Sequence, residues 1–229
     1  MNDELAKALG SLGVVGKAYD DLLHPSASEL GKLFSLPFKV VNHYGDRLLG
    51  MMTKAKDAVP PERQLPAAPS IAGPIFENVK YLEEGNPLLT MYQKLLTQLI
   101  DRDGVANAHP AFPKIVEQLS ADEAFVMYSI SKKPAKRLTH WPLPDTVPIH
   151  HDDKEVKRFL MFPYHMNVYV THLTQLNLIE SAAVGQTHEP GVIVQNVELR
   201  LSEFGELFAR ACIPTEWDFP THRSDDGTG

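Results

Sequence analysis

Residues 65–130 read LPAAPSIAGPIFENVKYLEEGNPLLTMYQKLLTQLIDRDGVANAHPAFPKIVEQLSADEAFVMYSI. Four helices can be read in this stretch, each with its own start signal. Ser70 can cap the first, and Ile71, Ile75, Val79 and Leu82 recur at helical spacing. Gly85 suits the left-handed end of that helix. Asn86 before Pro87 pairs an N-cap with proline at the first helical position. Leu88, Tyr92, Leu95 and Leu99 then share one apolar face. His109-Pro110 opens a short third helix with Phe112, Ile115, Val116 and Leu119. Ser120-Ala121-Asp122-Glu123 has the spacing of a capping box, in which Ser120 and Glu123 satisfy each other's backbone donors. Agreement among caps, breakers and apolar periodicity points to a helical core over residues 71–132.

Outward on the N-terminal side, residues 59–70, VPPERQLPAAPS, carry four prolines and read as a linker or rigid corner. Before it, residues 1–58 form an amphipathic helical arm. One helix is expected over residues 2–23. A second capping box at Ser26–Glu29 restarts the chain, and a helix follows from Phe38 to about Ala58. Its apolar stripe is Val40, Val41, Tyr44, Leu48, Met51 and Met52, the predicted oligomer or partner surface. A membrane surface could cover that stripe as well. The acids and bases mixed on its far side, Asp46, Arg47, Lys54 and Asp57, argue against it.

On the C-terminal side, residues 133–153 hold four prolines between 134 and 148 and read as a Pro-rich loop. Lys132, Lys133, Lys136 and Arg137 form a local basic run, the candidate anion or nucleic-acid contact. Residues 154–214 read as a short helix or strand, a helix, a hairpin and a helix. Met166, Val170, Leu173 and Leu176 line the second helix, and Asn177 suits its left-handed end. Val197, Leu199 and Leu201 alternate with polar residues as a half-buried strand does. Ser202 caps the last helix. Following the capped helix at 120–132, this order looks like a winged helix. The helix before the hairpin presents Asn167, Thr171, Thr174 and Gln175, which are polar but uncharged, so protein contact suits it better than phosphate contact. Residues 215–229 read as a flexible tail. The fold class expected is mainly α: a helical bundle core with one small winged-helix-like β-hairpin near residues 178–201.

The 229 residues carry a formal net charge of −7, which disfavours general nucleic-acid affinity. A single cysteine, Cys212, excludes an intramolecular disulfide and reads as a buried thiol. No secretory signal or transmembrane run is visible, so a cytoplasmic location is expected. Ten histidines invite a metal hypothesis. No HExxH occurs, His150 and His151 diverge in an extended segment, and His165 and His172 are two helical turns apart. The glycines of GSLGVVG at 10–16 lack a phosphate signature, no GxSxG occurs, and Asp101 and Asp103 suit a turn. No catalytic residue, metal or cofactor is expected.

The blocks YDDLLHPSASELGKLFSLPFKVVN, PAAPSIAGPIFENVKYLEEGNPLLTMYQKLLTQLID, HPAFPKIVEQLSADEAFVMYSI, LTQLNLIE and LSEFGELFARAC, in this order, resemble the bacterial abortive-infection alpha (Abi-alpha) family. The resemblance spans roughly residues 18–213 and supplies no catalytic residues. It implies a bacterial cytoplasmic protein of phage defence or a related conflict system. The preferred function is a non-enzymatic interaction or effector protein. Its partner would be a second copy of the chain, another defence protein or a phage protein. The alternative is a winged-helix DNA-binding transcriptional regulator. Nucleic acid and membrane are the less favoured partners, and a homo-oligomer is expected.

Overall fold

The computed structural model describes residues 38–142, 149–152, 154–189 and 192–217. The helices expected over residues 2–23 and from Ser26, and nearly all of the tail, lie outside the described residues. The chain divides into two compact units, Met1–Gln118 and Leu119–Gly229.

The first unit is helical. Its described helices are α1 (Phe38–Asp57), α2 (Pro69–Val79), α3 (Pro87–Ile100) and α4 (Phe112–Gln118). The Asn86 side chain accepts the Leu88 N–H at 2.9 Å, and Pro87 fills the first position of α3. Gly85 has φ +81, the expected left-handed conformation, but it does not end the helix: α2 stops at Val79 with Lys80 as its C-cap, and Leu82 lies beyond it. The start of α2 differs from expectation: Pro69 takes the first turn, the N-cap is Ala68, and Ser70 lies inside the helix. Proline at that position loses nothing, because its missing N–H would have no helical partner. The core gathers Ile75, Phe76, Tyr92, Leu95, Leu96 and Phe112. Tyr92 donates to the Pro113 carbonyl at 3.0 Å and accepts from Asn78, so a buried hydroxyl is satisfied twice.

Of the two readings of residues 59–70, the contacts favour the rigid corner. Arg63 grips Asp101 with both Nε and Nη2, and Leu65 N–H donates to the Ile100 carbonyl at 2.8 Å. The Arg63 hydrogen bond holds the Asp101 carboxyl below its usual range, and Asp101 also caps the turn by accepting the Asp103 N–H. The helix read as an outlying arm is likewise tied down at its C-terminal half. Met51, Met52 and Ala55 are buried within their own chain, and Gln93 of α3 donates to the Met51 carbonyl. Leu48 is half-buried. The side chains of Val40, Val41 and Tyr44 lie outside the described residues.

The second unit starts at the helix the sequence assigned to the central core, α5 (Ala121–Lys132). It continues through β1 (Ala135–Pro142), β2 (Ile149–Asp152), α6 (Lys154–Lys157), α7 (Met166–Gln175), β3 (Ile179–Glu189), β4 (Val192–Leu201) and α8 (Glu203–Cys212). The sheet is antiparallel, in the order β2-β1-β4-β3. The expected hairpin is β3–β4, and the sheet is larger than expected. Two strands come from the segment read as a Pro-rich loop. Proline is tolerated at a strand end, and Pro134 and Pro142 stand at the two ends of β1. Helix, strand, two helices, then a hairpin whose second strand pairs with β1 is a winged-helix-like arrangement, to which β2 adds a fourth, edge strand beside β1.

The turn from α7 into β3 is locked by the start of α8. Asn177 is left-handed at φ +57, as its position predicts. The Ser202 hydroxyl donates to the Asn177 carbonyl and accepts the Gly205 N–H at 2.9 Å. Backbone and backbone meet closely here: a Cβ on Gly205 would lie 1.8 Å from the Leu178 carbonyl oxygen. Cys212 is buried at the other end of α8.

Gly205→Ala is therefore expected to cost about 1–3 kcal/mol or more, since rigid backbone must move. Gly50→Ala, where nothing lies within 4 Å of the new methyl in the interior of α1, should stabilise by roughly 0.5–1 kcal/mol. Thermal unfolding of the two variants beside the natural chain checks both signs.

Candidate functional site: the acidic clamp and the apolar turn

Two adjacent carboxylates open α5, and both are buried: Asp122 is 7% exposed and Glu123 5%. Acids are favoured in a first helical turn, where backbone N–H groups point outward without helical partners. Here each also reaches another element. Glu123 completes the capping box: its Oε2 accepts the Ser120 N–H at 2.7 Å, while Ser120 Oγ accepts the Glu123 N–H. Its Oε1 lies 2.6 Å from His172 Nδ1 on α7. Asp122 faces the segment leading into α7. Its Oδ1 accepts the Met161 N–H at 2.8 Å, and its Oδ2 accepts the Phe162 N–H at 2.9 Å and the Tyr169 hydroxyl at 2.7 Å. Tyr169 and His172 are three residues apart, so they share one face of α7. That face is clamped to the start of α5.

The clamp decides which way the turn points. With the N–H groups of Met161 and Phe162 turned inward to Asp122, their side chains go outward. Leu160 is buried, yet Met161 is 52% exposed, Phe162 53% and Tyr164 94%. Val168, one turn further on, is 62% exposed. Phe162 stacks on His165 at 5.7 Å, and His165 meets the Tyr169 ring edge-on. Asn167, Thr171, Thr174 and Gln175 are all exposed, as their spacing predicts. The outer face of α7 and the turn before it form an apolar surface with an uncharged polar border. Large apolar side chains gathered on an exposed surface mark contact sites where they form one patch.

The basic run is not a single patch. Lys132 donates to the Thr215 carbonyl and lies 5.0 Å over the Tyr128 ring, which itself packs edge-on against Trp217. Lys133 and Lys136 are exposed, and strand alternation turns Arg137 to the other face of β1, where it is buried. His150 contacts Thr139 across the β1–β2 pair at 3.0 Å. Among the described residues no three His, Cys, Asp or Glu side chains converge as a metal site requires. No described helix is long and apolar enough to cross a membrane. In the first unit a cleft of about 620 Å³ lies between α1 and α3, with both signs of charge along it, from Asp46, Lys54 and Glu84.

The sequence shows the capping box but not the clamp. One signal was available: Tyr169 and His172 interrupt the apolar face of α7 at adjacent turns, and buried polar side chains need partners.

The family model for abortive infection alpha matches residues 43–212. No curated protein and no solved structure matches the chain.

Tyr169→Phe removes one donor from a buried carboxylate and should lower stability by about 1.5–3 kcal/mol in urea unfolding. The pH dependence has a definite sign. Burial, helped by the hydrogen bond to Asp122, raises the Tyr169 pKa above its usual 10. The folded chain keeps this proton where the unfolded chain releases it. The contribution is whole below pH about 10 and lost as pH climbs through the raised value. Tyr169→Phe should flatten that alkaline fall.

Proposed function

The chain belongs to the abortive infection alpha family, which implies a role in phage defence, and on that premise we propose a non-enzymatic interaction or effector protein acting through protein–protein contacts. The observation that carries this reading is the exposed Met161–Tyr164 turn, held outward by a buried carboxylate. Apolar side chains in water forgo roughly 1.5–3 kcal/mol each that burial against a partner would return. A buried polar clamp that keeps them exposed is what a contact surface requires. The reading puts the protein in the bacterial cytoplasm, with another defence protein or a phage protein as its partner.

The winged-helix arrangement favours a second reading, a DNA-binding regulator. Against it, the outer face of α7 offers Asn167, Val168, Thr171 and Gln175, and none of these neutralises a phosphate.

Plaque assays on a susceptible host expressing the chain test the two together. Tyr164→Asp with Val168→Asp should abolish protection while leaving the thermal unfolding midpoint unchanged. Retained protection in that variant would contradict the proposal. A tight, salt-sensitive complex with a DNA duplex, lost on Lys132, Lys133 and Lys136→Ala, would instead establish the regulator.

A further inference from the structure

We propose that the turn before α7, with the exposed Arg158 that precedes it, docks an acidic amphipathic segment of a partner protein. This rests on the protein-contact reading above and adds the chemistry of the partner.

The apolar half of the argument is the fixed display of Phe162, Tyr164 and Val168. Tyr164 and Val168 are four residues apart across the entry to α7, so they present a common face. Leu160 and Tyr169 are buried beneath, and Asp122 holds the backbone between them. The patch therefore has a floor and cannot turn inward without breaking the clamp.

Charge selects the partner. The chain carries 29 acids and a net charge of −7, yet residues 156–179 contain no aspartate or glutamate. Lys157, Arg158 and His165 fall within that span, which Glu155 and Glu180 bound, while its other histidine, His172, faces Glu123. Arg158 is exposed and lies 4.5 Å over the Phe159 ring, which fixes its direction. Asp122 and Glu123, the acids that hold the turn and α7, are buried and turned to their own partners. An apolar turn preceded by an exposed arginine, in an acid-free span of an acidic protein, complements a segment with leucine-like side chains on one face and carboxylates on the other. A second copy joined through this same patch would set Arg158 against Arg158, and like charges in contact oppose pairing. Uncharged Asn167, Thr171 and Gln175 border the patch as the polar rim of a protein interface does.

The probes are two fluorescein-labelled helical peptides of equal length with the same leucine positions. One carries glutamate at every polar position and the other lysine. Anisotropy titrations use the full chain. The acidic peptide should bind at least about tenfold more tightly than the basic one, and its affinity should fall as salt rises. Arg158→Glu should erase the preference, and Tyr164→Asp should weaken both peptides to background. Both changes fall at exposed positions, and circular dichroism verifies the fold. Lys114→Glu, an exposed charge reversal in the first unit, should change nothing. Equal binding of the two peptides overturns the proposal, as does retained preference in Arg158→Glu. Tighter binding to a DNA duplex or to anionic vesicles than to the acidic peptide overturns it as well. If Tyr164→Asp abolishes plaque protection while the peptides bind equally, the partner's chemistry is wrong and the protein-contact function stands. If the acidic peptide binds as expected while protection ignores Tyr164, the docking surface stands and the functional reading fails.

Discussion

A carboxylate without water must be satisfied by the protein, and Asp122 is satisfied by three donors from one stretch of chain. Each hydrogen bond to a charged group contributes about 1.5–3 kcal/mol, and losing one leaves part of a buried charge unmet. That constraint orders the second unit. It fixes the backbone at Met161 and Phe162, and with Glu123 and His172 it fixes the rotation of α7. The far end of α7 is fixed independently, where Ser202 and the bare Cα of Gly205 receive the Asn177–Leu178 turn. A helix pinned at both ends on its inner side presents a defined outer side.

What that outer side carries bears on function. A groove-reading helix would show lysine or arginine there. This one shows valine, asparagine, threonine and glutamine, preceded by an exposed methionine, phenylalanine and tyrosine. A winged-helix framework can serve protein contact as readily as DNA contact, because fold alone does not choose. The surface chemistry argues for protein contact, and membership of a phage-defence family gives such contact a setting.

Local signals in the sequence read true where the physics is local. Asn86, Ser120 with Glu123, and Ser202 cap the helices they precede, and Asn177 and Gly85 take the left-handed conformation. These depend on a few neighbouring residues. Ser70 was displaced by an equally local competitor, Pro69. The strands β1 and β2 are illegible because four prolines dominate the segment, and because β1 is defined by pairing with the distant β4. Burial of Met51 and Met52 depends on α3, so an amphipathic stripe could say only that something covers it. The clamp was hidden for the same reason: nothing near Asp122 in sequence announces the backbone of Met161 and Phe162. The four basic residues looked like one patch until strand alternation separated Arg137 from Lys136.

Amide hydrogen exchange, followed residue by residue in the natural chain and in Asp122→Ala, tests the clamp most directly. If the carboxylate holds the turn, the Met161 and Phe162 amides exchange slowly in the natural chain. In the variant they lose that protection selectively, while the amides of α3 and β4 keep theirs. Unchanged protection at Met161 and Phe162 in Asp122→Ala would show that the turn stands without the carboxylate and would contradict its role as the organising contact.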